Sequence, residues 1–261
     1  MSELRRILLL GGTEDSRALA EGLSKFAGVE VVSSLAGRTE QPLALPGSLR
    51  IGGFGGVEAL ARYLDEEHID LLVDATHPFA ARISENAEVA CRRSRTPRLV
   101  VQRQAWQAVE GDRWIRVPSA EAAAQALHGL AKRVFVTVGR QELSAFEALR
   151  DIWFLVRMID PPRQPLPLVQ CHVVLGRGPF EECGERALVQ EHGIEALVTK
   201  NSGGAATYAK VAVARDCGLP VVMIDRPFAP PGETVDCVED ALNRIAKMFH
   251  LGERGPAHEA R

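Results

Sequence analysis

Glycines, hydroxyls and cations gather in this sequence directly after short apolar runs. "ILLLGGTEDS" (7–16) sets Gly11, Gly12 and Thr13 between such a run and a helical pattern. Two glycines permit a tight turn and close approach of a ligand to the backbone. Thr13 can cap the helix or bond a phosphate oxygen, and a helix N-terminus offers N–H groups to an anion. Glu14 and Asp15 can satisfy the helix dipole themselves, so a capped turn without ligand stays open. The common G-x-G-x-x-G fingerprint, read from Gly11, meets Thr13 and Ser16 where it needs glycines.

"VVSSLAGRT" (31–39) carries Ser33, Ser34, Arg38 and Thr39 but no acid. An NAD site usually places a carboxylate here for the ribose 2′-hydroxyl. Hydroxyls and a guanidinium suit a 2′-phosphate instead, the alternative being a solvated surface arginine. "RIGGFGGVEAL" (50–60) surrounds Phe54 with glycines, Gly53 among them, as a sharp turn or as a wall for a flat ligand. "DATHPFAARIS" (74–84) ends an apolar run with Asp74, Ala75, Thr76 and His77, and Pro78 can start the next helix. His77 is a candidate proton donor or a structural histidine, and no metal-ligand spacing surrounds it.

The second half repeats the arrangement. "VTKNSGGAATYAK" (198–210) offers Lys200, Asn201, Ser202, Gly203 and Gly204 as a second anion cradle, with Tyr208 close behind. Lys210, further along the following helix, reads as a solvated lysine. Arg103, Arg140, Arg157, Arg177 and Arg226 stand at or near the ends of apolar runs. Each can receive a carboxylate or form a surface ion pair.

Positioning these loops requires strands that end beside them. Runs at 6–10, 30–34, 69–75, 98–103, 133–138, 153–159, 171–176, 194–200 and 220–225 read as buried parallel strands. Helical patterns fill the intervals, at 14–26, 56–67, 80–94, 119–131, 141–150, 181–192, 204–217 and 236–250. The alternation predicts an α/β fold of two Rossmann-like parallel-sheet domains with the active site in the cleft between them. The expected division is 1–130, a cofactor-binding domain, 131–250, a substrate-side domain, and a flexible tail over 251–261. "ILLLGGTE" echoes "VFVTVGRQE", and "LLVDATHPFAA" echoes "ALVTKNSGGAA", as two related units would.

The 261 residues are 46% hydrophobic and 25% charged, with net charge −3. That is the composition of a globular chain, with no global field calling for nucleic acid or an anionic membrane. Five cysteines, none in a C-x-x-C pair, argue against a zinc site or disulfide framework and for buried thiols in a reducing cytoplasm. The apolar run at 7–10 is too short for a signal peptide or membrane span.

Taken together and in order, "GGTEDSRALA", "SLAGRT", "GGFGG", "DATHPFA", "GRGPF", "TKNSGG" and the "RP" at 226–227 resemble the precorrin-6A reductases of cobalamin biosynthesis, from about residue 6 to 248. The resemblance implies an NADPH-dependent reductase that adds hydrogen at C18 and C19 of precorrin-6A, a flat macrocycle bearing acetate and propionate arms, to give precorrin-6B. It makes Gly11, Gly12, Thr13, Glu14, Ser33, Ser34, Arg38, Thr39, Gly53, Asp74, Ala75 and Thr76 the expected cofactor contacts. Phe54, the five arginines and 200–204 become substrate contacts, and His77, Lys200 and Tyr208 candidate proton donors. Hand-over contacts with neighbouring pathway enzymes are a further expectation. The alternatives are the same reduction on a cobalt-bearing substrate, a non-catalytic nucleotide-binding protein, and a methyltransferase.

Overall fold

A computed structural model describes residues 4–37 and 44–252; Arg38, Thr39 and most of the expected tail lie outside them. The chain divides into two compact units, Met1–Arg103 with Phe228–Arg261, and Gln104–Pro227.

The first unit is built on a parallel sheet of β1 (Arg5–Leu10), β2 (Val29–Leu35), β3 (Ser48–Ile51), β4 (Leu71–Asp74), β5 (Arg98–Val101) and β12 (Glu233–Val235), in the order β12-β5-β4-β1-β2-β3. Helices α1 (Glu14–Leu23), α2 (Val57–Glu66), α3 (Ala81–Ser94) and α7 (Val238–Phe249) belong to it. β1 shows why the fold forms. Ile7 and Leu9 join the core cluster that holds Leu19 of α1 and Ile245 of α7, whereas Leu8 and Leu10 join the one that holds Leu60 of α2 and Ala87 of α3. A strand apolar on both faces needs helices over both, and each buried aliphatic side chain contributes roughly 1.5–3 kcal/mol.

The second unit repeats the plan with β6 (Arg113–Val117), β7 (Arg133–Val136), β8 (Trp153–Met158), β9 (Cys171–Leu175), β10 (Ala196–Lys200) and β11 (Pro220–Ile224), ordered β6-β11-β10-β7-β8-β9 and again parallel. Around them lie α4 (Ala120–Ala126), a 3₁₀ turn at Arg140–Phe146, α5 (Glu182–Glu191) and α6 (Ala209–Asp216). The two strand orders correspond position by position, β1 to β7 and β4 to β10. Only the edge differs in chain order: β12 comes last in the sequence, β6 first in its unit.

The division at 103/104 and 227/228 departs from the expected 130/131 and 250/251. β6 runs beside β11, so 104–130 belongs with the second sheet. β12 runs beside β5 and α7 packs with α1, so the chain after 228 returns to the first. The cysteines also differ from expectation. Only Cys91 is buried, its thiol pushed up to about 12 by burial, whereas Cys183, Cys217 and Cys237 are exposed; all five are free thiols.

Candidate functional site

In the first unit the strand order reverses between β1 and β4, the place where parallel sheets open a crevice at their carboxyl ends. Thr13 caps α1 there. Its Oγ1 accepts the Ser16 N–H at 3.0 Å and donates to the Ala75 carbonyl at 2.9 Å, tying the ends of the two strands together. Ser16 Oγ accepts the N–H groups of Gly12 and Thr13 at 3.1 and 3.0 Å and donates to the Thr13 carbonyl. The cap therefore engages the Gly12, Thr13 and Ser16 N–H groups at the helix end. Gly12 has φ +112°, and a Cβ built on it meets nothing within 4 Å. Gly11 is different: its Cβ would stand 2.9 Å from Ser16 Oγ.

Ser33 and Ser34 are buried at the end of β2, and the Ser34 carbonyl accepts the Gly11 N–H at 3.0 Å. Beside them, on β3, Arg50 was not among the expected site residues. Its guanidinium lies 3.8 Å from the centroid of Phe54 and donates to the carbonyls of Gly52 and Gly53. That stack, a cation on a ring flanked by glycines, is what the "GGFGG" run builds.

Asp74 is 2% exposed. Its Oδ1 accepts from the Thr76 N–H at 3.2 Å and the Thr76 hydroxyl at 2.7 Å, and its Oδ2 faces Arg98 at 3.5 Å. Arg98, also missed, donates onward to the carbonyls of Ser84 and Pro231 and so joins β4, α3 and the 228–232 segment. A buried arginine beside a buried carboxylate leaves no periodic signal in sequence. His77 Nδ1 accepts the Phe79 N–H at 3.2 Å. In the neutral ring the proton then sits on Nε2. Arg103, expected on the substrate, pairs with Asp15 at 2.5 Å, inside the first-unit loop.

The second unit has its own reversal, between β7 and β10. Lys200 ends β10 with its Nζ 2.5 Å from Glu142 Oε2. Several expected substrate contacts also hold the chain's own backbone. The Asn201 side chain brackets the Trp106 backbone, accepting its N–H at 2.8 Å and donating to its carbonyl at 3.0 Å. Arg226 donates to the carbonyls of Asn201 and Gln104. Gly203 has φ +65°, and a Cβ there would lie 2.1 Å from the Gln104 oxygen, so only glycine fits. Ser202 is buried and Gly204 exposed.

Arg157 pairs with Glu185 at 2.7 Å, with side chains 9% and 2% exposed, and lies 3.9 Å from the Phe180 ring centroid. The Tyr208 hydroxyl accepts from Arg215, seven residues further along α6. Arg140 is exposed and donates to the Pro161 carbonyl; Arg177 is exposed. Lys210, expected in solvent, is instead 6% exposed. It donates to the Thr207 carbonyl at 2.6 Å and lies 5.2 Å from the Trp106 ring centroid. Burial pushes its ammonium down to about 7; Glu185 opposes that shift and Arg157 adds to it. Among the described residues, no three His, Cys, Asp or Glu side chains are grouped to hold a metal, and no helix is long and apolar enough to cross a membrane.

Comparison with known proteins agrees with this architecture. The family described as Precorrin-6x reductase CbiJ/CobK matches residues 6–246. The precorrin-6A reductase of Rhodococcus erythropolis is 48% identical over 246 residues, covering 94% of this chain and 99% of its own. The cobalt-precorrin-6A reductase of Priestia megaterium is 30% identical over 255 residues, covering 93% and 98%. A solved structure, the CobK precorrin-6A reductase, superposes with a TM-score of 0.90 at 41% identity, over 97% of this chain and 100% of that one. The chain belongs to the precorrin-6x reductase family, oxidoreductases that reduce a double bond of the precorrin-6A macrocycle in cobalamin biosynthesis.

Proposed function

We propose that this chain uses NADPH to reduce precorrin-6A to precorrin-6B, with the cofactor held by the first unit and the macrocycle received by the second. A reductase of this family draws on a nicotinamide cofactor. The preference for NADPH rests on one observation: the end of β2 carries Ser33 and Ser34 where an NAD site has an acid, and Arg50 stands opposite Ser34 on β3. Arg38 follows in the same loop, outside the described residues. The metal-free substrate is favoured over its cobalt complex by similarity, 48% against 30%. Free cysteines without disulfides suit the reducing cytoplasm, where we place the enzyme.

The residues present fit such a cofactor. Gly12 leaves open space before α1, the first-turn N–H groups of Glu14 and Asp15 would donate to an anion there, and Thr13 with Ala75 fixes the spacing of the two strand ends. When bound, the nicotinamide supplies the hydride. The chain's part is to hold two flat systems in register, which can supply several kcal/mol of barrier reduction, and to deliver a proton. The candidate donors are His77, Tyr208 and Lys200. With its Nδ1 accepting the Phe79 N–H, a neutral His77 carries its proton on Nε2, and the Tyr208 hydroxyl accepts from Arg215 and keeps its own proton. Lys200 serves the substrate's carboxylates.

The test uses purified protein, precorrin-6A and either NADPH or NADH, following nicotinamide absorbance. NADPH should be oxidised in proportion to substrate, and Arg38→Ala should weaken NADPH by about 1.5–3 kcal/mol while NADH changes little. Binding without turnover would leave a nucleotide-binding protein, and equal losses for both cofactors would remove Arg38 from the 2′-phosphate.

A further inference from the structure

One aromatic side chain, Trp106, gathers Asn201, Gly204 and Tyr208 around it. Trp106, Phe180 and Tyr208, with Gly204 and Ala209, line an open groove of about 670 Å³. That volume falls within the range of small-molecule sites. The groove borders the 200–204 loop at the carboxyl end of β10, since Gly204 belongs to both.

Trp106 is held from several directions. Asn201 fixes its backbone on both polar groups, and its indole N–H donates to the Gly204 carbonyl at 2.8 Å. Arg226 and the obligatory Gly203 shape the Gln104 carbonyl just before it. Two buried basic side chains stand behind the wall: Lys210, 5.2 Å from the Trp106 ring centroid, and Arg157, 3.9 Å from that of Phe180. Neither lines the groove. The Arg157 guanidinium holds the Phe180 ring in place and draws on its electron density, and the Lys210 side chain packs against Trp106. Trp106, Phe180 and Tyr208 thus give the groove flat apolar rings, the surface a conjugated system stacks on.

We propose that this groove is the stacking wall for the substrate macrocycle, with Trp106 its principal positioning residue and Phe180 its second. The inference rests on the macrocycle being the substrate. It also accounts for "TKNSGG": apart from Lys200, that loop builds the wall rather than touching the ligand's carboxylates. Glu181 and Glu182, which also line the groove, repel carboxylate arms and so restrict which edge of the macrocycle enters.

The experiment measures the dissociation constant of precorrin-6A by its absorbance change without cofactor, then KM and kcat with NADPH, for wild type, Trp106→Leu, Trp106→Phe and Phe180→Leu. Trp106→Leu should raise both the dissociation constant and KM at least tenfold, with kcat within threefold and NADPH affinity within twofold. Trp106→Phe, which keeps a flat ring, should recover most of the loss, and Phe180→Leu should lose at least threefold. Trp153→Phe, whose ring is covered by Arg133 and His192 outside the groove, should match wild type. Should Trp106→Leu fail to fold, Phe180→Leu and Trp106→Phe decide alone. Macrocycle affinity within twofold of wild type in Phe180→Leu, or in a folded Trp106→Leu, overturns the proposal, as does a loss confined to NADPH. Wild type that binds the macrocycle but oxidises no NADPH would fail the functional reading while the groove is still judged by the dissociation constants.

Discussion

Lys200 and Glu142 meet at 2.5 Å, and the same Glu142 oxygen accepts the Gly139 N–H at 2.8 Å. One carboxylate thus joins the ends of the two strands that flank the second unit's reversal point. The pair is partly exposed, so its own contribution to stability is modest, within about 1 kcal/mol. Its consequence for a polyanionic substrate is larger. Removing the ammonium leaves Glu142 to repel incoming carboxylates. Lys200→Ala should therefore lower kcat/KM for precorrin-6A at least tenfold, about 1.4 kcal/mol, with NADPH affinity within twofold. Lys200→Arg should restore part of it. Turnover unchanged in Lys200→Ala would take the lysine out of the site.

Gly12 gives a test of the first unit's loop. At φ +112° any L-residue is strained, by about 1–2 kcal/mol, yet the space ahead of it is open. Gly12→Ala should lower Tm by a few degrees and, separately, raise the dissociation constant for NADPH at least fivefold, because the added methyl occupies space meant for the ligand. Normal NADPH binding alongside the lowered Tm would make the glycine a backbone requirement only.

These loops were legible because glycine, proline and hydroxyl residues mark turns, and β1 and β4 are apolar on both faces. The edge strands β3, β6 and β12 were not. Ser48–Ile51 and Glu233–Val235 contain no buried side chain, and Arg113–Val117 buries only Val117, so no apolar run announces them. Missing β6 and β12 moved the domain boundary. The supports of the site were hidden for another reason. Arg157, Asn201 and Lys210 look like solvent or ligand contacts because their types are polar. Only tertiary structure reveals that Glu185, the Trp106 backbone and the Thr207 carbonyl already meet them.

Arg98 and Asp74 illustrate the energetic side of that point. Both are almost wholly buried, so removing one partner strands the other's charge. Arg98→Met should cost about 3–5 kcal/mol in denaturant unfolding. Asp74→Asn in the same chain should recover a substantial share, since the stranded carboxylate is then gone. Additive losses in the double variant would show that the two side chains do not interact energetically.

Lys210 makes the unit's stability depend on pH in a direction opposite to the usual lysine. Its ammonium is buried against the Trp106 ring and the Thr207 carbonyl on its own side, with Glu185 on α5 and Arg157 on β8 as the charged groups facing it. Burial lowers it from 10.5 to about 7. Between those values the unfolded chain binds a proton that the folded chain does not, so stability rises with pH across the window. Each pH unit crossed there adds at most about 1.4 kcal/mol. Below pH 7 the lysine is charged in both states and the dependence ends, with the full cost of burying the charge in place. Lys210→Met keeps the aliphatic stem, removes the titration and leaves Glu185 paired with Arg157. The difference in Tm between wild type and Lys210→Met should therefore favour the variant most at pH 6–7 and shrink steadily towards pH 10. Other groups titrate in both proteins and cancel in that difference. Parallel Tm curves from pH 6 to 10 would mean that the ammonium does not titrate inside the fold, and that the cation behind Trp106 persists at every pH at which the enzyme works.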